Sequence, residues 1–213
     1  QQVYDSDPAP AADLATRFTM ATLFSHGATQ LLAGEADRLL IDPYYVHNHV
    51  AEGSTTRMLA RWYDFLVEHD ELLLDAGIVE ATGAYSGEYN DDCDVAFASV
   101  RVTETAEAGA VWRRVALAGD RLVVHLINLV GQRDTLWDAP REPTGSTGPG
   151  TLRFRRVGPG VPRVRVADPD RSPRLIDLEV RLDGDHALAQ LPEPGVWQIV
   201  VIDLVPQSAE AGS

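Results

Sequence analysis

The chain contains no lysine: all 18 of its basic residues are arginine. Schiff-base and serine–lysine catalysis are thereby excluded, since both need an amine that can lose its proton near neutral pH. There is one cysteine, Cys93. A single cysteine closes no internal disulfide and builds no zinc ribbon, and Cys93 reads as a small packed residue rather than a nucleophile. No apolar run approaches the ~18 residues of a membrane helix, so no span and no membrane partner are expected. The segment Gln1 to Pro10 has neither a charged n-region nor an apolar h-region and does not read as a signal peptide.

Several motifs are missing as well. A nucleophile elbow needs Gly-x-Ser-x-Gly, and Gly83-Ala-Tyr-Ser86-Gly87 has its serine one position late. There is no phosphate loop and no dinucleotide fingerprint. Gly148-Pro-Gly150 and Gly158-Pro-Gly160 are followed by strand sequence, not by a helix. Asn90, Asp92 and Asp94 imitate the first ligands of a calcium loop, but Val95 replaces the turn glycine and Arg101 the bidentate glutamate. A solvated loop is the simpler reading. His47 and His49 could pinch a metal with Glu52 or His69, but no third ligand has recognisable spacing. No cofactor and no metal are expected.

What is present is 213 residues, 45% of them hydrophobic, enough to bury a core without staples. The formal net charge is −14. Residues 1–95 hold 17 acidic and 4 basic residues, a net −13, and residues 96–213 hold 15 and 14, a net −1. The first part would repel a phosphate backbone, so nucleic acid is not an expected partner. A neutral ligand such as a sugar is compatible, as is a surface whose charge serves only solubility.

The two regions differ in texture. From Asp13, a candidate N-cap, to His26, the residues Leu14, Phe18, Ala21 and Phe24 recur at helical spacing, and Gly27 supplies a stop. Ala28 to Ala33 reads as a buried strand, and residues 36–53 as a long loop. A second helix starts at Ser54 and ends at Gly77, with Leu59, Trp62, Leu66, His69 and Leu73 on one face beside Met58 and Phe65. After Cys93 eight strands are expected: 96–103, 111–117, 121–130, 151–157, 161–166, 175–182, 186–190 and 196–204. Turn signals such as Gly119-Asp120 and Asp183-Gly-Asp185 separate them, a pattern that argues for an antiparallel β-sandwich. The fold class is therefore α+β. Trp112, Trp137 and Trp197 fall in or beside the strands and read as core rather than as sugar platforms. Asn128 is expected to bond the backbone of a neighbouring turn.

Gly27-Ala-Thr-Gln-Leu-Leu-Ala-Gly-Glu35, then Asp42-Pro-Tyr-Tyr45, then Trp62-Tyr-Asp-Phe-Leu66 resemble glycoside hydrolase family 66, the endo-dextranases and cycloisomaltooligosaccharide glucanotransferases. Further along, His125-Leu-Ile-Asn-Leu129 with Asp134 and Trp137, Val164 to Asp170, and Pro194-Gly195-Val-Trp197 are similar to the β-domain after that family's barrel. Asp138 stands where a basic residue is usual. The likeness spans roughly residues 11–205. It implies that residues 1–92 are the last helix–strand–helix unit of a (β/α)8 barrel, that 93–205 form the β-sandwich, and that 206–213 are a flexible tail.

A whole barrel needs about 200 residues or more. The family's Asp nucleophile and Glu acid/base are implied to lie on earlier strands, so neither is carried over to a position here. On this reading the parent enzyme acts on an α-glucan or oligosaccharide outside the cell, and this chain is inactive alone. Glu35 and Asp37, with Tyr44, Tyr45 and His47 on the loop, are the candidate substrate-binding residues. Of Tyr44 and Tyr45, one would offer an aromatic face to a sugar ring and the other would pack on the second helix beneath Trp62. The segment 28–34 would pair with the rest of the barrel or with a second chain. The alternative is a non-catalytic carbohydrate-binding or structural module.

Overall fold

A computed structural model describes residues 2–204 except 31, 33, 35, 37, 41–47, 88, 89 and 137. The fold is α+β with mostly antiparallel sheets, arranged as helices, a large sheet and a smaller sheet.

A short helix α1 (Val3–Ser6) leads into α2 (Ala9–Ser25). Pro10 suits the first turn of α2, where its missing N–H goes unused. Asp13 is therefore not an N-cap. It lies inside the helix, buried, and its Oδ1 accepts hydrogen bonds from Tyr4 Oη (2.9 Å) and Thr55 Oγ1 (2.7 Å). Gly27 ends the helix in the left-handed region, at φ +71°.

No strand covers residues 28–30, 32 or 34, contrary to the buried strand expected there; 31 and 33 lie outside the described residues. A barrel strand needs parallel neighbours, and none is described beside this segment. It pairs locally instead: Leu40 N–H donates to Leu32 O (2.8 Å) and Gly34 N–H to Arg38 O (2.6 Å). The expected long loop holds β1 (Arg38–Leu40) and β2 (Asn48–Val50), antiparallel to each other.

Helix α3 (Gly53–Glu68) starts one residue before Ser54, with Glu52 as its N-cap, and breaks at His69 before α4 (Asp70–Leu73). The apolar face read from spacing is the buried one: Met58, Leu59, Trp62, Phe65, Leu66, His69 and Leu73 are all buried.

Then come β3 (Val79–Glu80), which was not anticipated, a 3₁₀ turn (Thr82–Tyr85), β4 (Cys93–Phe97), β5 (Val102–Thr103), β6 (Val111–Ala118), β7 (Arg121–Asn128), β8 (Gly150–Arg155), β9 (Val164–Asp168), β10 (Ser172–Asp177), β11 (Val180–Asp183), β12 (His186–Leu191) and β13 (Trp197–Asp203). The large sheet runs β10-β9-β13-β7-β6-β3, with β5 parallel to β6; the small one runs β11-β12-β8-β4. Two expected strands, 96–103 and 175–182, are each split. In both places the chain crosses between sheets, from β4 to β5 and from β10 to β11. Leu178 N–H bonds Val164 O (2.8 Å) at the second crossing.

Period-2 alternation explains which side faces what. Val111, Val115, Leu122, Val124, Leu126, Val200 and Ile202 of the large sheet meet Val95, Leu152, Phe154, Ala187 and Leu191 of the small one. The opposite side, with Val123, Ile127, Trp197 and Ile199, packs on α2 and α3. Strands β7 and β13 are covered on both faces, which is why they read as nearly continuous apolar runs. Trp197 is the hub of the helix–sheet contact. Its ring lies 5.3 Å from Phe65, 5.9 Å from Trp62 and 6.2 Å from Phe24.

Polar latches reinforce that contact. In the β9–β10 turn, Asp170 Oδ1 accepts from Trp62 Nε1 (3.1 Å) and Arg61 Nη2 (3.0 Å). Asp168, buried beneath it, accepts from the backbone N–H groups of Asp170, Arg171 and Gly195. Asn128 bonds the Gly145 carbonyl (3.1 Å) and the Val130 N–H (3.0 Å), the role expected of it.

Candidate functional site

All five candidate substrate residues, Glu35, Asp37, Tyr44, Tyr45 and His47, lie outside the described residues. Their neighbour His49 is described: its Nδ1 lies 3.9 Å from Asp5 Oδ1, and its ring is 5.9 Å from that of Tyr4. His69 is committed elsewhere, with Nε2 2.8 Å from Pro173 O and its ring edge-on to Phe65. Asn90 folds back on its own loop, taking the N–H groups of Asp92 (3.1 Å) and Cys93 (3.3 Å), and Asp92 pairs with Arg155 Nε (2.6 Å). Among the described residues no three His, Cys, Asp or Glu side chains converge as a metal would require. Cys93 is fully buried, and burial pushes its thiol up to about 12, so it stays protonated.

A polar cavity opens where the helices meet the large sheet. Its volume is about 380 Å³. The residues of its floor follow from strand register: β6 and β7 are antiparallel with Arg114 opposite His125, and alternation turns both toward the helices. The walls are the C-terminal end of α2 (Phe24 to Gly27) and the end of α4 (Leu72 to Ala76). Arg114 Nη1 donates to the Ser25 carbonyl, where a helix C-terminus presents unpaired acceptors. Its Nη2 lies 3.6 Å from Glu80 Oε1.

The mouth residues His26, Asp75, Ala76 and Glu80 are exposed, whereas Phe24, Arg114 and His125 are buried. His26 Nδ1 is 2.6 Å from the Thr22 carbonyl, so Nδ1 carries the proton and Nε2 keeps a lone pair. Burial depresses the His26 pKa. Glu80 is held below the usual carboxylate range: burial opposes this, but the Thr82 hydrogen bonds and the Arg114 charge outweigh it.

His125 is the unusual member. It is 2% exposed and stacks on Trp197, with centroids 5.9 Å apart and planes at 14°. Its Nδ1 has no hydrogen-bond partner among the described residues. Such a buried polar atom costs about 1–3 kcal/mol when unpaired. Burial, with the Arg114 and His26 charges added, pushes the His125 pKa down to about 3, so the ring is neutral at pH 7. Sequence reading set His125 in a central strand and did not mark it as a cavity residue. The available signal was a histidine inside an apolar run, opposite an arginine in the neighbouring strand.

A second, more apolar cavity of about 270 Å³ lies along α2, lined by Phe18, Thr19, Thr22, Trp112, Leu136 and Arg141. Trp112 is half-buried and its ring touches that of His26, with centroids 5.7 Å apart. It is not a fully buried core residue, in contrast to Trp197. Trp137 lies outside the described residues.

Comparison with known proteins adds three findings. The sequence model of glycosyl hydrolase family 66 matches residues 12–201. The cycloisomaltooligosaccharide glucanotransferase of Niallia circulans is 24% identical over 160 residues, covering 73% of this chain and 16% of the relative. A solved cycloisomaltooligosaccharide glucanotransferase from Paenibacillus sp., complexed with cycloisomaltoheptaose, superposes with a TM-score of 0.75 at 24% identity, covering 89% of this chain and 27% of that one. The structural likeness concerns the fold. The chain thus spans about a sixth to a quarter of the length of these relatives.

Proposed function

The chain belongs to glycosyl hydrolase family 66, and we propose that it is the C-terminal portion of an enzyme acting on a dextran-like α-glucan, with the catalytic carboxylates on other parts of that enzyme. The observation that carries this is one continuous family match, 12–201, running from α2 through β13. In this reading residues 1–92 take the place of the last unit of a (β/α)8 barrel and 93–205 form a β-sandwich; the expected tail, 206–213, lies outside the described residues. The segment 28–34 gains strand partners from the rest of the barrel or from a second chain.

Glu35, Asp37, Tyr44, Tyr45 and His47 then contact the glucan at the rim of the barrel. Retaining hydrolysis needs two carboxyl groups about 5 Å apart, one ionised and one protonated, in a cleft that excludes water. With neither family carboxylate assigned to this chain, it is inactive alone. Incubation of the isolated chain with dextran, followed by chromatography of the products, tests this. No isomaltooligosaccharide should be released. Release that scales with protein and disappears in Glu35→Gln contradicts the proposal.

A further inference from the structure

We propose that the cavity floored by His125 and Arg114 is a binding site for a neutral polyhydroxylated ligand, one hexopyranose ring in size. The first ground is a buried, uncharged imidazole in the lining: His125, 2% exposed, lines the cavity, with its Nδ1 closed off from solvent and without a partner among the described residues. The second is access, since His26, Asp75, Ala76 and Glu80 are exposed at the mouth. The third is size. About 380 Å³ is near the lower end of small-molecule sites, roughly 300–1,000 Å³, which suits one ring rather than a chain.

The chemistry of the lining selects the class. Arg114 offers guanidinium donors, Glu80 and Asp75 carboxylate acceptors, and His26 the Nε2 lone pair beside the neutral His125 ring. The formal charges of Arg114, Glu80 and Asp75 sum to −1, so an anion gains nothing. The Arg114 guanidinium already serves the Ser25 carbonyl, so a cation finds its acceptors compensated. Vicinal hydroxyls, each both donor and acceptor, fit a paired guanidinium and carboxylate without adding charge. Phe24 supplies an apolar wall for the ring carbons.

The choice of glucose as the first ligand rests on the proposed α-glucan function; the preference for neutral polyols does not. The test follows the histidine ring nitrogens of the whole chain by NMR during titration with D-glucose, isomaltose and gluconate. Saturable shifts of the His125 and His26 signals are expected with glucose or isomaltose, with half-saturation on the order of millimolar. Glu80→Gln, at an exposed position, should weaken the binding roughly tenfold when measured well below its own thermal midpoint. Gluconate should bind no better than glucose. Absence of a saturable shift with either sugar, a shift indifferent to Glu80→Gln, or tighter binding of gluconate overturns the proposal. Glucan release by the isolated chain would contradict the assignment of catalysis to other parts of the enzyme without touching this result.

Discussion

The two faces of the large sheet are built for different purposes. The face toward the small sheet is mainly aliphatic, with Val111, Val115, Leu122, Val124, Leu126, Val200 and Ile202, and its buried polar members Arg113 and Gln198 are tied to the Cys93 and Pro192 carbonyls. The face toward the helices carries Trp112, Arg114, His125 and Trp197 among its apolar residues, and two cavities open along it. A buried imidazole whose Nδ1 has no partner among the described residues costs stability, and folding does not need it. Features that cost stability and are placed together at an opening mark where function is expected.

The contrast can be broken most severely at Trp197. It joins β13 to both long helices, and Trp197→Ala should remove about 3–5 kcal/mol from urea unfolding. A loss near that of a surface substitution would mean that the helices are loosely attached and that the cavity is not a fixed site.

Acid sharpens the comparison next. Above pH 6.5 His125 is neutral in both folded and unfolded chains and contributes no pH dependence. Between 6.5 and about 3 the unfolded chain takes up a proton that the folded chain refuses. Stability should therefore fall with falling pH, by on the order of 1.4 kcal/mol per unit. His26, also depressed, acts in the same direction. Denaturation at pH 7.0, 6.0 and 5.0 checks this above the carboxylate range, and His125→Phe should flatten most of the slope. An unchanged slope in that variant would place the acid sensitivity elsewhere.

Smaller effects test the latch on the same face. A Cβ at Gly195 would sit 2.9 Å from Asp168 Oδ2, a carboxylate fixed by three backbone N–H groups. Gly195→Ala should cost about 1–3 kcal/mol in the same denaturation experiment. Smallest is the exposed Arg163–Asp177 pair on the sheet's edge, 2.5 Å apart. Arg163→Ala should change stability by less than about 1 kcal/mol, and less again in high salt.

How much of this was legible in the sequence depended on what fixed each element. Strands β6, β7, β12 and β13 and the buried face of α3 were readable because local alternation and helical spacing decide them. The start of α2 was misread because Asp13 resembles a cap, whereas its carboxylate serves the buried hydroxyls of Tyr4 and Thr55, a tertiary demand. The strand expected at 28–33 needed neighbours that periodicity cannot supply. The crossings that split 96–103 and 175–182 depend on which sheet each half joins, which no local pattern records. The cavity was invisible for the same reason: Arg114 and His125 are 11 positions apart and become a pair only through register. The family likeness was legible in the order of short motifs, and the match over 12–201 bears it out.

The most direct measurement of the central claim is intact-mass analysis of the isolated chain after incubation with an activated 2-fluoro isomaltosyl donor. Such a donor leaves a stable glycosyl ester on the nucleophile of a retaining enzyme. If the catalytic carboxylates belong to other parts of the enzyme, the mass stays unchanged. A single adduct on a carboxylate of this chain would show that the nucleophile is here and contradict that claim.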